Sequence, residues 1–293
     1  MRVLLTYDVS WAWKFKAEAL VKYIGKEFDE LRMMPMKQFR RNYSEYIQKY
    51  NLFHFFGWNE AERWAHLGTA GISSLNWKTR LKRASRVMPK FRALVPVSKL
   101  LARGVKGKNK NVCVAQNGVD HELFYPKRKQ SKFIVGWVGQ PTTLPLDQHG
   151  YTRLYGPLKA RLESMGIEVR DMVGTYKTAI PLAFMVDYYN SISVFVHTGT
   201  MTGTPNPLFE AAACGKPVLS THIGAAPEFI NGNNGHICNT IDDFIREIRF
   251  LSDNRDIAEQ MGRTAREDIL RDWTWEKRAK AYIPIFRKFG RKL

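Results

Sequence analysis

Acidic residues are missing from the stretch where basic ones crowd. Between Arg63 and Val119 the chain places thirteen Lys and Arg side chains and no Asp or Glu. The run sits in a first half that is basic overall, with 25 Lys and Arg against 10 Asp and Glu over residues 1–128. Residues 129–293 carry 21 against 17. Solubility is usually met with mixed signs, so one sign concentrated in one half predicts that this half meets an anionic surface. Cysteine is scarce. Cys113, Cys214 and Cys238 are odd in number and widely spaced, which excludes a disulfide framework or a zinc-finger pattern and fits reduced packing residues. Long hydrophobic runs are absent too. No stretch approaches the roughly 20 residues of a membrane span, and the apolar run before Asp8 is too short for a signal-peptide core. The expectation is a cytoplasmic protein. No D-x-D follows a strand and no carboxylate pair has glycosidase-like placement. Neither a metal-held diphosphate nor glycoside hydrolysis is therefore expected.

What is present is a globular composition. Hydrophobic residues are 44% and charged residues 25% of 293, enough for two domains with separate cores. Apolar β-rich runs alternate with helical patterns. Strands are expected at 2–7, 31–34, 51–57 and 93–97, and helices at 15–28 and 77–87. The 77–87 helix carries an apolar stripe of Trp77, Leu81 and Ala84 on a basic surface, and residues 104–111 read as a basic loop. The second half alternates more cleanly. Strands are expected at 133–138, 167–173, 194–197 and 217–220, helices at 151–165, 184–190 and 207–214, and mostly helix from 242 to 289. Such alternation predicts an α/β protein of two doubly wound parallel sheets, with a ligand cleft at the carboxyl ends of the strands.

The densest signal lies at residues 203–230, GTPNPLFEAAACGKPVLSTHIGAAPEFI. A Gly/Pro turn after a strand opens a helix near Pro207, and unpaired amides in its first turn would suit a diphosphate. Glu210, one turn further on, can accept hydrogen bonds from both hydroxyls of a ribose. An isolated Glu on a helix is more often a solvated residue.

It is not isolated. Gly203, Pro205, Glu210, Ala211, Ala213, Gly215, Pro217 and Val218 resemble the donor-site signature of glycosyltransferase family four, retaining enzymes of the GT-B fold related to glycogen and sucrose synthases. Gly224 and Glu228, spaced G-x-x-x-E, resemble its later G-x-x-E element. Residues 117–126 (NGVDHELFYP) look like its interdomain linker, 135–139 (VGWVG) like its first donor-domain strand, and 272–275 (DWTW) like the stretch before its last helix. The resemblance implies an acceptor domain over 1–116 with 276–293 crossing back to it, a linker at 117–126 and a donor domain over 127–275. It implies a UDP- or GDP-sugar as donor substrate, no cofactor and no metal. It also implies donor contacts from Thr202, Gly203, Thr204, Pro205, Asn206, Pro207, Leu208, Glu210, Gly139, Gln140 and His149. Three of these depart from the pattern. Thr202 stands where the signature has its first Glu, and Gln140 and His149 where a diphosphate Arg and Lys are usual. In the first half, Asp8, which begins the segment that replaces a glycine-rich loop, is with His54 a candidate catalytic residue. His54 is the better candidate for a histidine near the transferred sugar, with His66 second and an ordinary packed imidazole as the alternative.

Retaining enzymes of this kind position their substrates and let the leaving diphosphate assist the acceptor hydroxyl. For the acceptor, Lys78, Arg80, Lys82, Arg83, Arg86, Lys90 and Arg92 form the expected anion-binding set. With Trp64, Trp77 and Phe91 among them, phosphate contacts and base stacking favour hydroxymethylated DNA. A lipid-linked or lipopolysaccharide acceptor on an anionic membrane is the alternative, and no stable protein partner is implied. A sugar-nucleotide- or DNA-binding protein that has lost transfer is the alternative of another class.

Overall fold

The computed structural model describes residues 1–8, 11–127, 131–141, 147–174 and 180–292. It divides into two compact units, Met1–Gly118 with Trp275–Leu293, and Val119–Thr274. In the first unit β1 (Arg2–Tyr7), β2 (Glu30–Pro35), β3 (Leu52–Phe55), β4 (Gly68–Ile72) and β5 (Ala93–Pro96) run parallel in the order β2-β1-β3-β4-β5. In the second, β6 (Ile134–Gly139), β7 (Glu168–Val173), β8 (Val194–His197), β9 (Val218–Ser220) and β10 (Gly235–Ile237) run parallel as β10-β9-β8-β6-β7. Each sheet sets its first strand between its second and third. The winding reverses between the first and the third, and ligands of such sheets bind beyond the carboxyl ends of those two strands. In the second unit that point lies past Gly139 of β6 and His197 of β8.

The strands follow from sequence where both faces are covered, because a doubly buried parallel strand must be apolar throughout. Val3, Leu4 and Leu5 of β1 and Val194, Phe195 and Val196 of β8 are fully buried. Elements without that pattern are the unexpected ones. β4 reads GTAGI, β10 has three residues, and short helices at Met36–Arg41 and Tyr43–Lys49 follow no clear apolar period. The first helix runs Trp11–Ile24, closed by a 3-10 turn at Gly25–Glu27, rather than 15–28. The helix expected at 77–87 is a 3-10 turn, Leu75–Arg80, then a helix, Leu81–Val87. Its stripe is broken, because Trp77 and Ala84 are buried while Leu81 is 53% exposed. The basic loop expected from 104 is entered by a helix, Lys99–Val105, whose Leu101 amide donates to Ser98 Oγ.

The last helix, Tyr282–Phe289, buries Tyr282, Ile285, Phe286 and Phe289 in the core of the first unit with Val3, Leu5 and Leu20. Residues 119–126 are packed into the second unit. The Val119 amide donates to the Trp273 carbonyl, Val119 pairs with Thr274, and Arg266 donates to the carbonyls of His121, Phe124 and Ala213.

Candidate functional site

Three segments are laced together beyond the carboxyl ends of β8 and β9. Thr198 Oγ1 accepts from Trp137 Nε1 and donates to the His149 carbonyl at 2.7 Å, and Thr200 Oγ1 donates to the Asp147 carbonyl. Thr221 Oγ1 donates to the Gly199 carbonyl at 2.7 Å. Residues 147–150, 198–204 and 221–224 thus form one rim, held by threonines that follow the strands. Gly224 requires its left-handed conformation (φ 55°), and a Cβ there would stand 2.4 Å from the Gly203 carbonyl oxygen. The later glycine of the signature is therefore packed onto the earlier one.

From that rim rises the Asn206–Ala213 helix, with Pro205 as its N-cap. Its first turn corrects one expectation. Pro205 and Pro207 have no N–H, the Asn206 amide donates to the Thr204 carbonyl and the Leu208 amide to the Pro205 carbonyl. The row of unpaired amides anticipated for a diphosphate is largely consumed by the turn itself. The positive end of the helix dipole remains.

Glu210 lies one turn in and is half-buried. Its Oε2 accepts from the hydroxyl of Tyr189 at 2.6 Å. Burial pushes the Glu210 carboxyl up to about 7 and the tyrosine bond opposes the shift. Further donors reaching this carboxylate would favour its charged form, as the tyrosine does. Thr202 turns its hydroxyl to the Thr204 carbonyl. Gly203, Pro205 and Leu208 are buried, while Thr204, Asn206 and Pro207 are partly exposed.

Gly139 ends β6 buried, and Gln140 follows half-exposed. Half-buried His149 precedes Gly150, whose left-handed conformation (φ 66°) sets it against the Thr198 carbonyl. Burial lowers the His149 imidazole, opposed by the Asp147 charge. Beneath it, His197 is held down to about 3 by burial and then by His149. Asp147 Oδ1 and His197 Nε2 are buried without a hydrogen-bond partner among the described residues. Sequence reasoning missed Tyr189, Asp147, His197 and the rim threonines. Two of the threonines carry a signal in hindsight, since Thr198 directly follows β8 and Thr221 directly follows β9.

The candidates in the first unit fare differently. Asp8 directly follows β1 and is half-buried. His54 corrects the expectation of a site histidine, because it is fully buried on β3. Its Nδ1 lies 2.8 Å from Thr69 Oγ1, its ring packs against Phe56, Tyr282 and Phe286, and burial lowers it well below the usual imidazole range. It is a core imidazole that meets no solvent. His66 is exposed.

Two corrections apply to the basic set. Trp64, Trp77 and Phe91 are at most 8% exposed and belong to the core, so they offer no stacking faces. Glu62, one residue outside the acid-free window, pairs with Arg83 at 3.3 Å and Arg86 at 2.9 Å. Arg83 also donates to the Asn59 carbonyl, and Arg92 to the carbonyls of His66 and Phe289. Lys78, Arg80, Lys82 and Lys90 are exposed, with Leu81 among them. Among the described residues, no three His, Cys, Asp or Glu side chains are grouped as a metal site.

A family model described as "Glycosyl transferase-like" matches residues 147–283. Over 82 residues the chain is 32% identical to a probable sucrose-phosphate synthase of Thermosipho melanesiensis, covering 28% of this chain and 19% of that protein. The chain thus matches about a fifth of the length of that curated relative. Among solved structures, a sucrose-phosphate synthase from Thermosynechococcus elongatus superposes with a TM-score of 0.71 at 13% identity, covering 98% of this chain and 99% of that one. Anabaena HepE in complex with UDP and glucose gives 0.71 at 12% identity, covering 98% and 99%. The fold is that of the GT-B glycosyltransferases: α/β, with two parallel five-stranded sheets.

Proposed function

We propose, on the premise that residues 147–283 are a glycosyl transferase-like domain, that the chain transfers a sugar from a nucleotide-sugar donor to a hydroxyl on an anionic acceptor. The observation that carries this is Glu210. It is a half-buried carboxylate one turn into the helix that leaves the carboxyl edge of a doubly wound sheet. That position suits a group receiving the two ribose hydroxyls. The rim at 198–204 and the helix dipole would face the diphosphate, and His149 and Gln140 stand where cations are usual. With a diphosphate leaving group and no side-chain base required, transfer proceeds by positioning and charge stabilisation, with retention and without a divalent metal. HepE was solved with UDP, and a UDP-sugar is the first donor to offer.

For the acceptor, the buried aromatics remove the stacking half of the argument for DNA. The exposed Leu81 flanked by exposed Arg80 and Lys82 instead suits an anionic lipid surface, where apolar insertion and counterion attraction add. The reading is therefore a lipid-linked acceptor, with hydroxymethylated DNA as the competing one. The test offers UDP- and GDP-sugars to the protein with glycolipid in anionic vesicles or with hydroxymethylated DNA, and follows product by mass. Sugar on lipid is expected. Sugar on DNA alone would overturn the acceptor, and donor bound but never turned over would identify a binding protein that has lost transfer.

A further inference from the structure

Glu210 is served by a residue twenty-one positions earlier that no motif connects to it. Tyr189 lies in the last turn of the Leu182–Asn190 helix, its ring fully buried against Phe124, Tyr188 and Phe195. Its hydroxyl donates to Glu210 Oε2 at 2.6 Å. We infer that Tyr189 is the positioning residue of the donor site: its phenol locks the Glu210 carboxylate in one orientation, keeps it ionised and leaves the Oε1 side to receive the ribose. The inference rests on the reading of Glu210 as ribose acceptor.

Three features carry it. The separation is that of an O–H···O⁻ bond, about twice as strong as its neutral counterpart. The ring is wedged among three aromatic neighbours, so the hydroxyl has one place to point. Burial and the neighbouring carboxylate also hold the Tyr189 phenol well above its usual range, so it stays a donor at any pH the protein meets. The benefit goes to Glu210, whose burial favours the neutral acid. A protonated carboxyl would itself be a donor, competing with the hydroxyls it should accept from. The other groups nearby leave this bond to Tyr189. Tyr188 spends its hydroxyl on the carbonyls of Trp137 and Arg170. Cys214, one turn further along the Glu210 helix, is pushed up to about 12 by burial and stays a neutral thiol, with Lys216, Arg266 and Lys127 around it.

The test measures UDP-glucose affinity from pH 6 to 9 for the full chain, with GDP-mannose in parallel. The diphosphate of neither ligand titrates in that window, and the base N–H groups begin to ionise only at its upper end, equally for every variant. The variants are Tyr189→Phe, Glu210→Gln, the double variant, and 3-fluorotyrosine at position 189. Wild-type affinity should fall as pH drops through about 7. In Tyr189→Phe the midpoint should rise by about one pH unit, the effect of one charged hydrogen bond, weakening binding about fivefold at pH 7 and little at pH 9. The more acidic fluorotyrosine should move the midpoint down, and Tyr189→Phe should add nothing in the Glu210→Gln background. A loss equal at all pH values, or one that persists in that background, would overturn the positioning role. Should Tyr189→Phe fail to fold, an unmoved midpoint with fluorotyrosine does the same. A wild-type protein that binds neither ligand contradicts the donor-site reading, and the positioning role falls with it.

Discussion

Lys16 is the most awkward charge in the first unit. It is 5% exposed, and its ammonium sits 5.4 and 5.3 Å from the ring centroids of Phe56 and Tyr282. These faces offset part of the lost hydration, yet burial still pulls the amine down to about 7. The sign follows from linkage. The unfolded lysine protonates near 10.5 and the folded one near 7, so the penalty is absent above 10.5. It builds as pH falls between those values and is complete below 7. Lys16→Met should therefore stabilise the protein by about 4 kcal/mol at pH 7, and by much less at pH 10. Urea midpoints of the two proteins at both pH values check this, and a pH-independent difference would refute it. None of this is visible in sequence, where Lys16 is one of several lysines on a helix. Its burial is decided by Phe56 and by Tyr282, which returns from the far end of the chain. His54 was misread for the same reason. A histidine in an apolar strand looks the same whether a cleft or a returning helix covers it.

At the scale of elements, the turn at 203–207 was legible because its glycines and prolines do local work. Gly224 must adopt φ 55° with its Cα against the Gly203 carbonyl. Gly224→Ala should strain the backbone by about 1–2 kcal/mol and push the two turns apart. Nucleotide-sugar affinity should then fall by at least tenfold while most of the thermal stability survives. Unchanged affinity would mean that this rim is not part of the donor site. Legible, too, were the strands β1, β6 and β8, since doubly buried strands announce themselves as apolar runs. β4 and β10 were not, because glycines and a three-residue length leave no pattern to read. The state of the helix amides was also beyond sequence. Prolines at 205 and 207 signal a helix start, but whether the remaining N–H groups face a ligand or close the turn depends on backbone dihedrals.

At the scale of the molecule, linear charge counting overstated the free basic surface. The acid-free window is real in sequence, but folding brings Glu62 onto Arg83 and Arg86 and spends Arg92 on carbonyls. The set to test is therefore Lys78, Arg80, Lys82 and Lys90. Changing all four to Gln should weaken binding to anionic vesicles and flatten its salt dependence. Leu81→Gln should weaken vesicle binding alone, leaving any DNA binding unchanged, because apolar insertion matters only to the lipid surface. Equal losses on both surfaces would remove the argument for lipid. The central claim, though, concerns the donor, and calorimetric titration of UDP- and GDP-sugars into wild type and Glu210→Gln tests it most directly. The account predicts one nucleotide sugar bound by wild type, about 10- to 100-fold weaker in the variant, as loss of a charged hydrogen bond implies, with unfolding midpoints alike. Equal affinity in the two proteins, or no binding by wild type, would contradict it.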